Sequence, residues 1–381
     1  MATVGQQLTS PESGWKRIDT TDILNKIKIL QGNISTVTGL VAYYYNGTFL
    51  SVTGNPFKIR FKFTGNKIRL IMNKWSTLSN SVTVKIDNTT YPVFSTSTAN
   101  QGMSLVFEAT GLPDGEHIID ISNGDGKGIE FDAIDVNESA VINEGTYVIG
   151  EQLTAPEAGW KRYDDTHPAI KYIGSGWNTE THLAHYNNIA HWSRTVGNKI
   201  KFKFKGTKIR IITDRNTNRL ANSQSITIDG VKEYINTYGT VQGQTLSFEK
   251  TGLADTIHEV ELQNETDLLQ LDAIDIDDTG RLLHPDEVTD IADLDVGKRI
   301  RCHYQAPMSG QIGMFSGLGQ ETSDFIPPTS SATPNGDFYW ICCDIKNGKK
   351  ILLADRNIQH SISWDKINEQ GMTNTGREIT F

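Results

Sequence analysis

The sequence of 381 residues predicts an all-β protein with two tandem jelly-roll β-sandwiches and a small β-rich C-terminal domain. Short runs in which apolar and polar residues alternate indicate strands that are buried on one face. The 34 glycines, together with clusters of Asn, Asp and Ser, supply the turns between these runs. A long internal repeat indicates that the first two domains share one fold.

The clearest alternating run is KIRFKFTGNKIRLI at residues 58–71. Apolar side chains occupy every second position before and after Gly65 and Asn66, so they lie on one face of a strand. Because these two residues tolerate positive φ, the run predicts a β-hairpin that turns at this point. KIKFKFKGTKIRII at 199–212 has the same pattern and predicts a second hairpin.

The repeat extends well beyond these runs, with matching segments 140 to 145 residues apart. A repeat of that length is a whole domain, since solenoid repeats have only about 20–50 residues. We therefore predict jelly-roll sandwiches at 1–142 and 143–284 and a different domain at 285–381. The matching segments are GQQLTSPESGWKRID (5–19) with GEQLTAPEAGWKRYD (150–164), FEATGL (107–112) with FEKTGL (248–253), and FDAIDV (131–136) with LDAIDI (271–276).

Residues that both copies keep are predicted to serve the shared fold. A side chain that maintains the sandwich is needed in each copy, whereas a ligand contact is needed only where a ligand binds. The kept pairs are Trp15/Trp160, Arg17/Arg162, Asp19/Asp164 and Asp132/Asp272.

The copies differ most just before the 58–71 and 199–212 runs. LVAYYYNGTFLSV in the first copy corresponds to GSGWNTETHLAHYNNIAHWS in the second. Aromatic rings on sandwich loops stack on sugar rings, and nearby polar side chains bind the hydroxyls, so this segment predicts a carbohydrate site. Alternatively, some of these rings pack in the core, because a strand with three tyrosines points at least one inward. The candidate carbohydrate-binding residues are Trp177, His182, His185, Tyr186, Trp192, Asp214 and Arg215 in the second copy and Tyr43, Tyr45 and Trp75 in the first.

The sequence carries no pattern typical of catalysis: no GxSxG elbow, no GDS-type nucleophile and no glycine-rich phosphate loop. We therefore expect a protein that is not an enzyme. The three histidines within 182–191 lack an accompanying CxxC or HExxH motif, so no metal site and no cofactor are predicted. A structural calcium ion near Asn123, Asp125 and Asp132, or in the matching loop of the second copy, is left open, although the spacing is not that of an EF-hand.

Charge and hydropathy exclude other classes of partner. A net charge of −9 and a pI near 5.5 disfavour nucleic acid and anionic membranes as partners. No apolar run approaches the ~20 residues that span a bilayer, so membrane insertion is not expected. The opening MATVGQQLTSPESGW predicts no secretory signal. Three cysteines near the C-terminus predict buried thiols in a protein made in a reducing cytoplasm.

The segment IPPTSSATPNGDFYWI, followed by GKKILLADRNIQHSISWDKIN, resembles a C-terminal domain of tail-associated proteins from phages and prophages of Gram-positive bacteria. GWKRYDD and AHWSRTVGNKIKFKFKGTKIRII resemble the carbohydrate-binding-module-like jelly rolls, of the galactose-binding type, that accompany it. This resemblance implies a virion tail-fibre or receptor-binding protein that is assembled in the host cytoplasm. Its implied partners are a host cell-wall or surface glycan, other virion tail proteins and further copies of itself. The first copy departs from the pattern where AYYYNGTFLSV replaces AHYNNIAHWS.

Two other functions are compatible with the sequence. A purely structural virion protein would use the jelly rolls for protein–protein packing, and it predicts that Trp177 and Trp192 are buried. The other function is that of an accessory carbohydrate-binding part of a surface adhesin or carbohydrate-active enzyme, since similar jelly rolls occur in such proteins. An enzyme would need a catalytic domain, and residues 285–381 are too few and lack the catalytic motifs.

Overall fold

A computed structural model describes residues 2–370, and these residues form mostly β-strands, which confirms the all-β prediction. They divide into two compact units, one ending at Tyr147 and the other beginning at Val148. The first unit holds the first repeat, and the second unit holds the second repeat together with the C-terminal segment. None of the helices within 2–370 has the length and apolar character needed to cross a membrane.

Eight strands make up the first unit, with two short 3-10 helices at Thr20–Lys26 and Tyr45–Gly47. The strands are β1 (Lys16–Asp19), β2 (Lys28–Thr38), β3 (Thr48–Lys74), β4 (Val82–Ile86), β5 (Thr89–Thr90), β6 (Gln101–Asn123), β7 (Ile129–Val136) and β8 (Ile142–Glu144). They are hydrogen-bonded in the order β1-β7-β3-β6-β4-β5, and β2 and β8 also pair with β3.

The second repeat distributes its strands over three sheets and has a 3-10 helix at Tyr186–Asn188. Its strands are β9 (Trp160–Asp164), β10 (Lys171–Ile173), β11 (Asn178–Thr181), β12 (Ile189–Ser193), β13 (Lys199–Gly206), β14 (Ile209–Arg215), β15 (Gln224–Ile228), β16 (Val231–Ile235), β17 (Gln242–Lys250), β18 (Thr256–Asn264), β19 (Leu269–Leu271), β20 (Ala273–Asp277) and β21 (Arg281–Leu283). One sheet has the order β10-β13-β18-β15-β16 with β21 on β13, the second β17-β14-β20-β9, and the third β11-β12-β19.

The C-terminal segment forms one further sheet in the order β22-β23-β25-β26, with β24 paired to β23. A hairpin turns at Asn347-Gly348, because Lys346 pairs with Lys349 across this turn. The cysteines are free thiols; Cys302 and Cys342 are buried as predicted, whereas Cys343 is exposed. The elements are β22 (Glu287–Val288), a 3-10 helix (Ile291–Asp293), β23 (Arg299–Gln305), β24 (Met314–Ser316), β25 (Asn335–Lys346), β26 (Lys349–Ala354) and α1 (Trp364–Glu369).

The two predicted hairpins are wrong, because the arms of each run pair with other strands. In the first repeat the arm 58–65 pairs with 115–122 and the arm 67–74 with 101–110. In the second repeat the corresponding arms are β13 and β14, which belong to different sheets. The glycine between the arms therefore redirects the chain from one part of the sandwich to another.

The alternation within these runs does place their apolar side chains in the core. Phe61 and Phe63 of the first repeat, and Phe202 and Phe204 of the second, are buried in the two large apolar clusters. The period of two was therefore correct even though the turn was misread.

Most residues kept in both copies make equivalent structural contacts. Arg17 donates two hydrogen bonds to the Asp135 carboxylate, at 2.6 and 2.9 Å, and Arg162 makes the same pair of bonds to Asp275. All four side chains are buried, so each ion pair is needed to neutralise charge within the fold.

The kept tryptophans are also held by the fold. Two cations lie 4.0 to 4.2 Å from each indole centroid, Lys67 and Arg69 at Trp15 in the first repeat and their counterparts at Trp160 in the second. These cation–π contacts account for the shared tryptophans without a ligand.

Candidate binding cleft

A cleft of about 370 Å³ opens on the surface of the second repeat. Its volume is within the usual range for small-ligand sites. Five of the seven predicted site residues of this repeat line it, namely His182, His185, Trp192, Asp214 and Arg215. The remaining lining residues are Glu180, Ala184, Arg194, Asn216, Asn218, Arg219, Val241, Gln242, Gly243 and Leu268.

Local backbone conformation brings the histidine loop to this cleft. His185 directly precedes the 3-10 turn Tyr186–Asn188, in which Asn187 has a φ of 48°. Asparagine adopts this left-handed conformation more readily than most residues. Gly243 lies against the Ala184 carbonyl, and a Cβ at that position would collide with it. The NN pair and this glycine therefore fix the position of the loop.

Two carboxylates and one imidazole meet at the wall of the cleft. One ligand-type atom from each of His185, Asp214 and Asp272 lies within 4.8 Å of the others. Asp272 is fully buried, and His185 is only 4% exposed. The Asp272 side chain, which the sequence assigned to the fold alone, thus also belongs to this site.

Burial raises the pKa of Asp272 to about 8. The backbone N–H of Tyr186 donates to its Oδ1 at 2.9 Å and opposes this change, whereas the negative charges of Asp214 and Asp165 add to it. The charge of Asp214 thus lies close to Asp272 in a poorly solvated place, where it disfavours ionisation of Asp272.

Guanidinium groups also line the cleft. Arg215 donates to the carbonyls of Gly150 and Tyr238 at 3.0 and 3.1 Å. Arg219 donates to Gln270 at 3.1 Å, and its burial lowers the pKa of the guanidinium. The cleft therefore combines cationic donors, carboxylate acceptors and the half-buried ring of Trp192.

Two of the predicted residues of this repeat lie outside the lining of the cleft. Trp177 is half-buried and packs edge-to-face on Tyr172, with 4.9 Å between the ring centroids. Tyr186 packs against the guanidinium of Arg162, 5.4 Å from its ring centroid. Their aromatic character was visible in the sequence, but the direction of each side chain was not.

The first repeat arranges its three predicted residues differently. Trp75 donates its indole N–H to Glu130 at 2.6 Å, and its ring meets Tyr43 edge-on at 5.8 Å. Tyr45 lies against Arg17 and the apolar core, although Tyr43 remains 44% exposed. Trp75 and Tyr45 are thus engaged within the fold, which leaves Tyr43 as the most accessible of the three.

The loop suggested for structural calcium is held by hydrogen bonds. Asn123 accepts from the backbone N–H of Phe57, and Asp125 accepts from Ser79 and Asn80. Asp132 accepts from the Tyr45 backbone N–H instead. Calcium at this loop stays a prediction.

Sequence reasoning missed several residues that line the cleft, among them Glu180, Arg219 and Gln242. His185 and Asp214, which were predicted, also stand out when the two copies are compared, because they replace Tyr44 and Asn73 of the first repeat. Arg219 follows β14 in a loop where length and composition both differ, so no such comparison could identify it.

No family model matches the chain. A stretch of 100 residues is 29% identical to an A type blood N-acetyl-alpha-D-galactosamine deacetylase from Flavonifractor plautii, and it covers 26% of this chain and 13% of that protein. The chain thus spans about an eighth of the length of this curated relative.

Three solved structures share limited similarity. Tandem CBM51 modules of a family 98 glycoside hydrolase from Streptococcus pneumoniae are 13% identical, with a TM-score of 0.23 and coverage of 72% of this chain and 99% of that one. A Paenibacillus xanthan lyase is 12% identical, with a TM-score of 0.26 and coverage of 66% and 25%. The salicylyl-acyltransferase SsfX3 is 13% identical, with a TM-score of 0.27 and coverage of 34% and 42%. Similarity at this level carries no argument about function.

Proposed function

We propose that the second repeat binds carbohydrate in its cleft and that the chain is a non-enzymatic attachment protein. The observation that carries this proposal is the composition of the cleft. It combines the ring of Trp192 with the polar side chains of Asp214, Arg215 and Asn218 around about 370 Å³. An aromatic face and convergent hydrogen-bonding groups are the two features that recognition of a sugar requires.

The wider setting we propose is a virion tail fibre or receptor-binding protein that attaches the particle to a host cell-wall or surface glycan. Its support is the resemblance of the C-terminal segment at 326–368 to tail-associated proteins. Homo-oligomerisation would multiply a weak single-site affinity, because tethered sites bind a repeating polymer together. Immunogold labelling of particles tests this setting, and label confined to host debris would contradict it.

Binding itself is tested with the full chain on a glycan array that includes wall polysaccharides, followed by calorimetry with the strongest ligand. Trp192→Ala removes the stacking face and is expected to weaken binding about tenfold or more. The matched control is Tyr43→Ala, which removes the exposed ring of the first repeat and should leave the affinity unchanged. Equal affinity of wild type and Trp192→Ala would contradict the assignment of the cleft.

A scaffold that only packs against other virion proteins is the second candidate. The inward packing of Trp177 on Tyr172 favours it, because an aromatic residue used for the fold is not available to a ligand. This function predicts that no saccharide binds to the full chain in either repeat. Trp192 distinguishes the two functions, since it lines the cleft and is half-buried.

A further inference from the structure

Asp214 and Asp272 at the cleft each have one oxygen that is hydrogen-bonded and one that is not. Asp272 accepts from the Tyr186 N–H through Oδ1, and Asp214 accepts from the Gln270 side-chain amide through Oδ2, both at 2.9 Å. Asp272 Oδ2 and Asp214 Oδ1 are buried and have no hydrogen-bond partner. The bonded oxygens fix the orientation of both carboxylates. The other oxygen of each group remains available to a ligand.

His185 is the third member of this cluster. Both of its ring nitrogens are buried without a hydrogen-bond partner, and Nδ1 lies 3.4 Å from Asp214 Oδ1. A buried imidazole and two buried carboxylate oxygens without partners are costly, because each has lost its hydration. A bound cation would satisfy one imidazole nitrogen and both carboxylate oxygens at once.

We propose that His185, Asp214 and Asp272 bind one divalent first-row transition ion, with zinc as the representative. Imidazole nitrogen combined with carboxylate oxygen suits such ions, whereas calcium and magnesium prefer ligand sets made of oxygen. The Tyr186 and Gln270 hydrogen bonds are the outer-shell contacts that orient metal-binding carboxylates. This site departs from the expectation, drawn from motifs, that the chain binds no metal.

The ion would also be accessible from the cleft. His185 and Asp214 both line it, so a ligand there could occupy a coordination position that the three side chains leave free. The ion's own binding does not depend on the proposed carbohydrate function, since it rests on the three side chains alone.

The first repeat provides an internal comparison. Its Asp132 accepts from the Tyr45 N–H, as Asp272 accepts from Tyr186, and its other oxygen also has no partner. The two remaining positions are Tyr44, which stacks on Phe49, and Asn73. Neither is a good ligand for a transition ion, so one ion per chain is expected and not two.

Calorimetric titration of chelator-treated full chain with zinc, calcium and magnesium tests the proposal without any saccharide. We expect one equivalent of zinc per chain, bound more tightly than calcium or magnesium. Cobalt should give the visible absorption of an ion ligated by nitrogen and oxygen. Asp214→Asn and His185→Ala should each weaken zinc binding at least about 100-fold, the upper end of the loss from an outer-shell partner.

The matched control is Asp132→Asn, which alters the equivalent carboxylate of the first repeat and should leave zinc affinity and stoichiometry unchanged. Circular dichroism of each variant establishes that it is folded. The number of zinc ions bound per wild-type chain is measured without any variant. It therefore tests the proposal even if a substitution prevents folding. Absence of zinc binding, two equivalents per chain, or wild-type affinity in folded His185→Ala and Asp214→Asn would each overturn the proposal.

Discussion

Individual residues show how the two repeats differ at the positions that line the cleft of the second repeat. The pair Trp177 and Trp192 illustrates the limit of prediction, because both are aromatic residues in the same divergent segment. Trp192 is on β12 and lines the cleft, whereas Trp177 just precedes β11 and packs on Tyr172. Which way a side chain points near a strand end depends on the path of the loop, and composition does not specify that path.

A histidine–aspartate pair that both repeats contain predicts how stability depends on pH. His117 lies 2.7 Å from Asp87 through Nδ1, and His258 makes the same contact with Asp229. Burial disfavours the charged form of both rings. The carboxylates, with the carbonyls of Pro113 and Ala254, outweigh burial and raise the pKa of both histidines.

Because their folded-state pKa is raised, these histidines stabilise the fold below the unfolded-state pKa of about 6.5, and this contribution is lost as the pH rises through the higher folded-state value. His258→Gln should therefore cost more stability at about pH 6 than at about pH 9. Urea unfolding at several pH values measures this difference, with His117→Gln as the matched variant. A cost that is independent of pH, or that grows with pH, would contradict the prediction.

At the scale of elements, a glycine between two alternating arms determines the architecture. The strands could be predicted because any half-buried β-strand has a period of two. The turn was predicted wrongly because a hairpin turn and a change of strand partner both favour a glycine. Gly65 has a φ of 125° and its counterpart Gly206 a φ of 154°. A hairpin and a change of strand partner differ in which strand each arm pairs with. That distant strand cannot be identified from the local sequence pattern.

Gly65→Ala is expected to destabilise the first repeat by about 1–3 kcal/mol, because the backbone there is in a region that L-residues rarely adopt. The added Cβ would also collide with the side-chain amide of Asn137. Thermal or urea unfolding measures the change. Gly115, which pairs with Gly65 across the strands, is the control, since a Cβ there meets open space and Gly115→Ala should be nearly neutral. Equal stability of the two variants would count against this role for Gly65.

Across the whole molecule, the two repeats share much of their sequence but differ in chemistry at corresponding positions. The His185, Asp214 and Trp192 positions of the second repeat correspond to Tyr44, Asn73 and Ser51 of the first. A second copy therefore does not supply a second identical site. Under the proposed function, multivalent attachment would come from association of several chains and not from the tandem repeat itself.

The second compact unit joins the second repeat to the C-terminal segment through buried polar contacts. Glu321 accepts from Lys161 at 2.5 Å and from the hydroxyl of Tyr163, and buried Arg301 donates to the Leu282 carbonyl at 2.9 Å. Removal of the C-terminal segment would leave the Tyr163 hydroxyl and the Leu282 carbonyl without these partners. The second repeat should therefore depend on that segment for its stability.

A chain that ends at residue 284 tests this dependence. We expect the second repeat to unfold at a lower temperature than in the full chain, while the first repeat keeps its transition because it forms a compact unit of its own. Differential scanning calorimetry resolves the two transitions, and a fragment of residues 1–147 identifies which belongs to the first repeat. Glu321→Gln in the full chain is the milder variant, since it weakens the contacts to Lys161 and Tyr163 and leaves the sheet intact. An unchanged second transition in the shortened chain would show that the second repeat is stable alone, and the polar contacts would then serve only to orient the C-terminal segment.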